Sequence, residues 1–279
     1  MGDSLLESGC EFCGACIDVC PVGALVETDF KWERMERTEK SVCNGCPVGC
    51  QMTYEVNKWE KVIRVIPELN APSNHGQGCY IGKFGFKHVN DKRRLKTPLI
   101  RRNGTLEEAS WDEALTVVAD GFKGHTGDSF ALIASSRNTN EELYVAQKFA
   151  RVAMGTNNVN VSSNDRPEVL QGLMDVLGYG AGTMPLWDIG SAACVLIVDA
   201  NVTERQNVVA VPIKQAVRAG TQKLIVIDSR EVELTRYAHL WLRPYPGMDS
   251  IVLGGMLRVI FDEDLLDKTS SAVAGLDIG

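Results

Sequence analysis

The hydrophobic pattern of the chain changes near residue 98. Beyond that point, apolar positions at helical spacing alternate with short apolar runs. The predicted strands are Phe130–Ala134, Cys194–Asp199 and Lys223–Asp228. The predicted helices are one that follows the capping box Ser110–Glu113 and those at Asn140–Met154, Pro167–Leu177 and Val208–Ala219. This alternation predicts an α/β fold with a doubly wound, parallel sheet.

The pattern before residue 98 is weaker and separates two further regions. Residues 1–30 are rich in cysteine, whereas residues 41–97 are rich in Gly and Asn and hold one clear strand, Lys61–Ile66. We interpret the charged stretch between them, Lys31–Lys40, as a solvated face, with a connector as the alternative. We therefore predict three domains, at 1–30, 41–97 and 98–279.

The charge balance excludes two classes of partner. Lys and Arg number 29 and Asp and Glu 36 among 279 residues, which gives a net charge of -7. Nucleic acids and anionic membranes require clustered positive charge, so we expect neither as a partner. The longest apolar runs, such as Cys194–Val198, are too short to span a bilayer, and the N-terminus carries no export signal. We expect a cytoplasmic protein without membrane insertion.

Nine cysteines are the strongest chemical signal in the chain. Eight fall into two sets with close spacing, and in an intracellular chain such spacing indicates metal binding rather than disulfides. The ninth, Cys194, begins an apolar strand, so we expect it to be a core residue.

The first set is Cys10-x2-Cys13-x2-Cys16-x3-Cys20-Pro, the run found in bacterial ferredoxins. This spacing predicts a [4Fe–4S] cluster, because a tight loop can offer one thiolate to each of several irons. Structural zinc, the alternative, more often uses two separated Cys-x2-Cys pairs. The role of Cys20 stays open: it closes the cluster of its own run, binds a cluster whose other ligands come from elsewhere, or has lost its function.

The second set is Cys43-x2-Cys46-x3-Cys50-x28-Cys79. The segments Cys43-Asn-Gly-Cys46-Pro-Val-Gly-Cys50 and Gly78-Cys79-Tyr-Ile-Gly82-Lys-Phe-Gly85 resemble the cluster domain of the molybdopterin oxidoreductases. The resemblance continues through Asn138–Glu141, Gln147–Arg151, Gly155–Asn158, Ile227–Arg230 and Pro246–Asp249. Within that family, the chain is most similar to formate dehydrogenase subunits with a ferredoxin-like extension.

The resemblance implies a second [4Fe–4S] cluster on Cys43, Cys46, Cys50 and Cys79, followed by the first part of a domain that holds a molybdenum or tungsten bis-pterin. It also implies that a guanine dinucleotide would lie at the ends of the later strands. The positions concerned are Asn201, Thr203, Glu204, Asp228, Arg230 and Asp249. We interpret them as a vestigial site.

Three departures from the family pattern indicate a silent metal site. Asn164 stands where the family has a cysteine or selenocysteine metal ligand, and the usual following His is Asp165. Ile81 stands where formate dehydrogenases have a lysine between cluster and pterin. The sequence also stops after the first part of the α/β region. We therefore expect no bound molybdopterin guanine dinucleotide and no catalytic residue of the chain's own.

The leading hypothesis is an electron-transfer subunit with two [4Fe–4S] clusters, whose partners are other iron–sulfur or flavin redox subunits of an oxidoreductase complex. One alternative is part of a split formate dehydrogenase whose pterin cleft is completed by a second polypeptide. Another is a structural assembly module whose clusters mainly hold the fold.

Overall fold

The computed structural model describes residues 4, 5, 8, 10–30, 32–161 and 167–266. The chain divides into two compact units, Met1–Thr183 and Met184–Gly279. The two units are described separately below. The three predicted domains, 1–30, 41–97 and 98–279, stay a prediction.

The first unit begins with a small cysteine-rich segment. Its helix α1 (Ala15–Asp18) is a single turn, preceded by Gly14 in the left-handed conformation at φ 76°. No residue of α1 is a buried hydrophobic, and residues 10–30 contribute no hydrophobic side chain to a buried core. The segment depends on neighbouring parts of the chain for its packing.

An antiparallel sheet of three strands follows, in the order β1 (Arg37–Val42), β2 (Gln51–Val56) and β3 (Val62–Pro67). Alternate residues of β3 are buried, among them Ile63 and Val65, and β2 buries Met52, Glu55 and Val56. The expectation of one strand here was wrong. The β1 strand is exposed throughout, which agrees with the solvated face expected for this charged stretch; the alternative of a connector was wrong for the residues that form the strand. The sheet is followed by α2 (Tyr80–Phe84) and a short 3-10 helix, Gly85–Asn90.

The rest of the first unit alternates strands and helices. A hairpin of β4 (Leu99–Arg102) and β5 (Thr105–Glu108) precedes a parallel pair, β6 (Leu132–Ala134) with β7 (Val159–Val161). The helices are α3 (Trp111–Phe122), α4 (Asn140–Val152) and α5 (Pro167–Leu177). Three aromatic rings, Phe122, Phe130 and Phe149, pack together at centroid distances of 5.4 to 6.1 Å.

The second unit holds a parallel sheet in the order β10-β9-β8. Its elements are β8 (Cys194–Val198), α6 (Val202–Arg205), α7 (Asn207–Arg218), β9 (Lys223–Ile227), β10 (Leu240–Leu242) and α8 (Asp249–Asp262). The core between sheet and helix consists of Val195, Ile197, Ala210, Ile213, Leu224, Val226, Val232 and Leu234. The parallel pairing confirms the α/β class.

Local signals placed most elements of the α/β region correctly. Ser110 accepts a hydrogen bond from the Glu113 backbone N–H at 3.2 Å, as the capping box predicts. For α4, however, the cap is Thr139 rather than Asn140, because Thr139 and Glu142 form the reciprocal pair.

Cys194 is exposed, so its assignment to the core was wrong. Side chains alternate between the two faces of a strand, and in β8 the buried face belongs to Val195 and Ile197. Among the described residues, no helix combines the length and the apolar character that a membrane span requires.

Candidate metal centre

The second cysteine set is assembled by the three-stranded sheet and the helix that follows it. Cys43 comes directly after β1, Cys50 directly before β2, and Cys79 caps the start of α2. The Cys43 backbone N–H donates to the Cys50 carbonyl oxygen at 2.8 Å and closes the loop that carries Cys46. All four cysteines are free, and all are at least partly buried.

The four thiols lie close enough to oppose one another's ionisation. Burial, with a smaller contribution from the neighbouring Cys46, Cys43 and Cys79, raises the pKa of the Cys50 thiol to about 12. Burial also raises the pKa of the Cys43 and Cys46 thiols. Four thiolates can coexist in such a site only when cations compensate their charge, and metal coordination supplies this compensation.

Glycines keep space open around the Cys43 sulfur. A Cβ at Gly45 would lie 3.3 Å from Cys43 Sγ, and a Cβ at Gly82 would lie 3.5 Å from it. The Gly45 backbone N–H donates to the same sulfur at 3.3 Å. Sulfur-rich ligation, backbone donors and glycines that leave room beside the sulfur are what an iron–sulfur cluster requires, so the residues fit this group.

A single metal ion requires ligands that converge on one point. Within the ranges that the structure describes, no three His, Cys, Asp or Glu side chains converge as ligands of one ion. In a cubane, by contrast, each thiolate binds its own iron, so the four sulfurs stand further apart.

Asn74 holds the two ends of this cysteine set together and was not singled out from the sequence. Its side chain is fully buried; Oδ1 accepts from the Gln51 N–H at 2.9 Å, and Nδ2 donates to the Gln77 carbonyl oxygen at 2.8 Å. One amide thus ties the residue after Cys50 to the turn before Cys79. The neighbouring His75 is exposed on that turn.

A cleft of about 740 Å³ opens beside the Cys43 side of the set. It is bordered by Cys43, Ile81 and Gly82 and by the guanidinium groups of Arg37, Arg94 and Arg137. Burial dominates the raised pKa of the Cys46 thiol, and Arg137 opposes that rise. Ile81, at the position of the family's lysine, is exposed and presents only hydrocarbon to the cleft.

The first cysteine set is more open. Cys10 and Cys16 are exposed, whereas Cys13 and Cys20 are half-buried. The pKa of the Cys20 thiol is lowered, chiefly by the backbone N–H of Leu25 and also by the N–H groups of the intervening turn. A turn whose N–H groups face a cysteine sulfur favours the thiolate, which is the form that binds iron.

Between the two sets lies a buried lysine that sequence reasoning set aside. Lys83, on α2, has no exposed surface, and its ammonium contacts the carboxylates of Asp18 and Glu27 in the first segment. Only the spacing of Lys83 from Cys79 was visible in the sequence, because its partners lie far along the chain.

Three of the six proposed nucleotide positions meet at the carboxyl edge of the sheet in the second unit. Asn201 and Thr203 follow β8, and Asp228 follows β9, its neighbour in the sheet. Asn201 Oδ1 and Thr203 Oγ1 are buried and have no hydrogen-bond partner within the described part of the chain. Orphaned polar atoms at this edge fit a ligand with donor groups, as the ribose and base of a nucleotide have.

The other three positions are less clearly grouped. Arg230 donates its backbone N–H to Asp228 Oδ1 at 2.8 Å, but its guanidinium is exposed. Glu204 is exposed on α6, and Asp249 begins α8. The positions Asn164 and Asp165 lie outside the described residues.

Comparisons with known proteins agree with this architecture. Residues 94–278 match the molybdopterin oxidoreductase family, residues 36–91 match its Fe4S4 domain, and residues 6–26 match the 4Fe–4S binding domain. The chain belongs to the molybdopterin oxidoreductase family. The resemblance inferred from the cysteine spacing is thereby confirmed, together with the predicted ferredoxin-like segment.

Relatives of this molybdopterin oxidoreductase chain are longer proteins. It is 33% identical to a protein named "Putative formate dehydrogenase" in Staphylococcus aureus (strain USA300), over 94% of this chain and 31% of that protein. A protein of the same name in strain N315 matches with the same identity and coverage. The chain thus spans about a third of the length of these relatives.

A solved structure shows the same fold. Acetylene hydratase from Pelobacter acetylenicus superposes with a TM-score of 0.63 over 84% of this chain and 33% of that one. The two sequences share 20% identity, so this likeness concerns the fold alone.

Proposed function

We propose that this chain carries two [4Fe–4S] clusters and transfers electrons within a larger oxidoreductase of the formate dehydrogenase type. The first cluster would be held by Cys10, Cys13, Cys16 and Cys20, and the second by Cys43, Cys46, Cys50 and Cys79. The α/β part, residues 98–279, would act as a scaffold.

One observation carries this proposal. The segment with the first cysteine set packs on α2, the helix that starts at the last cysteine of the second set. If each cysteine set held an independent structural ion, contact between the two sets would serve no purpose. Two adjacent clusters, by contrast, would be neighbouring redox centres between which an electron can pass.

The chain's own residues would do three things for the clusters, which themselves supply one-electron redox chemistry. The thiolates bind the irons. Backbone donors such as the Gly45 N–H reach the sulfurs, and hydrogen bonds to sulfur raise a cluster's potential because they stabilise the more negative, reduced state. The sheet beneath the second set excludes water from one side of the site.

We further propose that the molybdenum site is silent. Asn164 offers a neutral amide where a soft, charged ligand is needed, and Ile81 offers hydrocarbon where a lysine would carry charge. Because both groups are replaced, substrate conversion would fall to another part of the complex.

Iron and acid-labile sulfide analysis of the anaerobically purified protein tests the cluster proposal. We expect about eight irons per chain, the content of two four-iron clusters. We also expect electron paramagnetic resonance signals from both clusters after reduction. Four irons or fewer would overturn the two-cluster proposal. Formate oxidation dependent on molybdenum bound to this chain would overturn the silent site.

A second candidate function rests on the orphaned atoms of Asn201 and Thr203. They favour a retained pterin dinucleotide, as in a catalytic chain of formate dehydrogenase type whose cleft is completed by further polypeptide. Nucleotide analysis of the acid-extracted complex tests it. Guanine nucleotide present in the native protein and lost in Thr203→Val would favour this candidate, and its absence from the native protein would exclude it.

A further inference from the structure

Lys83 touches both cysteine sets. Its backbone N–H donates to the Cys79 carbonyl oxygen at 3.0 Å, within the second set. Its ammonium donates to Asp18 Oδ1, in the turn between Cys16 and Cys20 of the first set. A single residue therefore connects the two sets, through its backbone on one side and its side chain on the other.

The environment of the ammonium is almost closed. Lys83 is 0% exposed; Nζ donates to the Val65 carbonyl oxygen at 3.2 Å and lies 3.6 Å from Glu27 Oε1. The Asp18 and Glu27 side chains are 20% and 7% exposed. A buried charge is tolerated only when it is paired, so the lysine and the two carboxylates depend on one another.

The methylene stem of Lys83 runs directly against Gly14. A Cβ at Gly14 would lie 2.6 Å from the Lys83 Cδ and Cε atoms and 2.8 Å from Phe84 Cζ. Gly14 also has φ 76°, a conformation that favours glycine. The loop between Cys13 and Cys16 is therefore shaped to receive this lysine.

A second lysine on the same face provides a natural comparison. Lys87, one helical turn further along, pairs with Asp29 of the first segment, but this pair is exposed at 63% and 56%. Close by, the rings of Phe30 and Phe86 lie 6.1 Å apart. Ion pairs of two lysines thus join the same two segments: those of Lys83 are largely shielded from solvent, and that of Lys87 is exposed.

We propose that Lys83 is a positioning residue for electron transfer, which fixes the first cysteine segment on the second and places one positive charge between them. The proposal rests on the two-cluster function proposed above. Solvent screens the Lys87 pair, whereas the Lys83 pairs are shielded from it. Loss of the Lys83 charge would leave the Asp18 and Glu27 carboxylates, which are 20% and 7% exposed, without this partner and repelling each other, and would weaken the docking of the first segment. A positive charge near a cluster also favours its reduced, more negative state.

Hydrogen exchange in the full-length, anaerobically purified chain tests the docking. In Lys83→Met, which keeps the stem and removes the charge, the amides of residues 10–27 should exchange about tenfold faster or more. The matched control, Lys87→Met, should leave these amides within about twofold of the native rate. Lys83→Arg, which keeps the charge, should retain more protection than Lys83→Met. Equal exchange in Lys83→Met and Lys87→Met would overturn the proposal.

A redox titration followed by electron paramagnetic resonance tests the charge. The cluster potentials should shift to lower values in Lys83→Met and stay unchanged in Lys87→Met; unchanged potentials in both would contradict the electrostatic role. If Lys83→Met fails to fold, Asp18→Asn removes the partner carboxylate instead and should raise exchange at the same amides. If Asp18→Asn leaves that exchange unchanged, the proposal fails.

The two proposals fail in distinguishable ways. A native chain without clusters defeats the proposed function, yet the exchange experiment still reports on docking. A native chain with both clusters and no response to Lys83→Met defeats only the role of Lys83.

Discussion

The two cysteine segments of this chain reach a similar ligand set by different means. The second segment rests on a sheet with buried Met52, Ile63 and Val65, and its cysteines are themselves partly buried. Within its described residues, the first has a single helical turn and no buried hydrophobic residue, and Cys10 and Cys16 face solvent. The second segment positions its thiols by folding, whereas the first positions them by docking on α2.

This difference predicts which substitutions should disrupt each segment. In the second, a change of ligand or of the supporting hydrogen bonds should have a large local effect and leave the first segment in place. In the first, a change at the docking surface should matter as much as a change of ligand. Four variants test the comparison, from the largest expected effect to the smallest.

Cys46→Ser should have the largest effect. We expect a loss of about four irons per chain and looser packing of residues 41–97, because metal binding contributes to the folding of that region. Iron analysis and thermal unfolding measure both. Cys194→Ser is the matched control, since Cys194 is exposed and stands outside both sets. An unchanged four-iron signal from the second site would defeat the assignment.

Gly14→Ala should undock the first segment. The added Cβ would meet the Lys83 stem at 2.6 Å, and the positive φ adds strain, for a combined cost of about 1–3 kcal/mol. The control is Gly23→Ala, because Gly23 has φ 64° but no atom within 4 Å of the new Cβ. Limited proteolysis should cut residues 10–30 faster in Gly14→Ala than in Gly23→Ala. Equal rates would mean that strain alone acts.

Asn74→Ala should weaken the second set and spare the first. The change leaves the Gln51 N–H without its side-chain acceptor, at a cost of about 1–3 kcal/mol. Asn90→Ala is the control, because Asn90 bonds both backbone groups of Val62 in the same sheet, away from the cysteines. Both variants should lower the unfolding midpoint, but only Asn74→Ala should release iron from the second site.

Glu27→Gln should change the pH dependence of stability by a small amount. Burial raises the Glu27 pKa above its ordinary value of 4.5, and Lys83 and Arg64 oppose this shift only in part, while Asp18 adds to it. The folded state therefore binds the proton more tightly. Its contribution to stability is complete below pH 4.5 and is lost as pH rises through the folded-state pKa.

Denaturant titrations from pH 4 to pH 8 measure this dependence. The stability of the native chain relative to Glu27→Gln should fall as pH rises. A difference that stays constant with pH, or that grows, would show that the carboxylate is favoured in the folded state.

The α/β elements were predictable because their signals are local. Ser110 with Glu113, Pro167 at the start of α5 and Gly220 after α7 each mark an end by backbone chemistry. The β1 and β2 strands were missed for the opposite reason. No apolar alternation marks β1, whose residues are all exposed, and its pairing with β2 decides its structure.

The residues of the candidate site likewise divide into those with a local sequence signal and those without one. Cysteine spacing indicated both sets, because at least three cysteines of each set lie within a few residues of each other. The contacts of Lys83 could not be inferred, since Asp18 is 65 residues away and no short-range pattern marks a buried pair. Asn74 escaped notice for the same reason, with Gln51 lying 23 residues before it.

The β1-β2-β3 sheet also has a consequence for the order in which the chain assembles. Each of its strands pairs with its neighbour in sequence, so the loops that must close are short and the sheet can form early. The contact of Lys83 with Asp18 closes a loop of 65 residues and can form only after α2 is in place. We therefore expect the ligands of the second cluster to be gathered first during folding, with the N-terminal segment, although synthesised earlier, reaching its final position last.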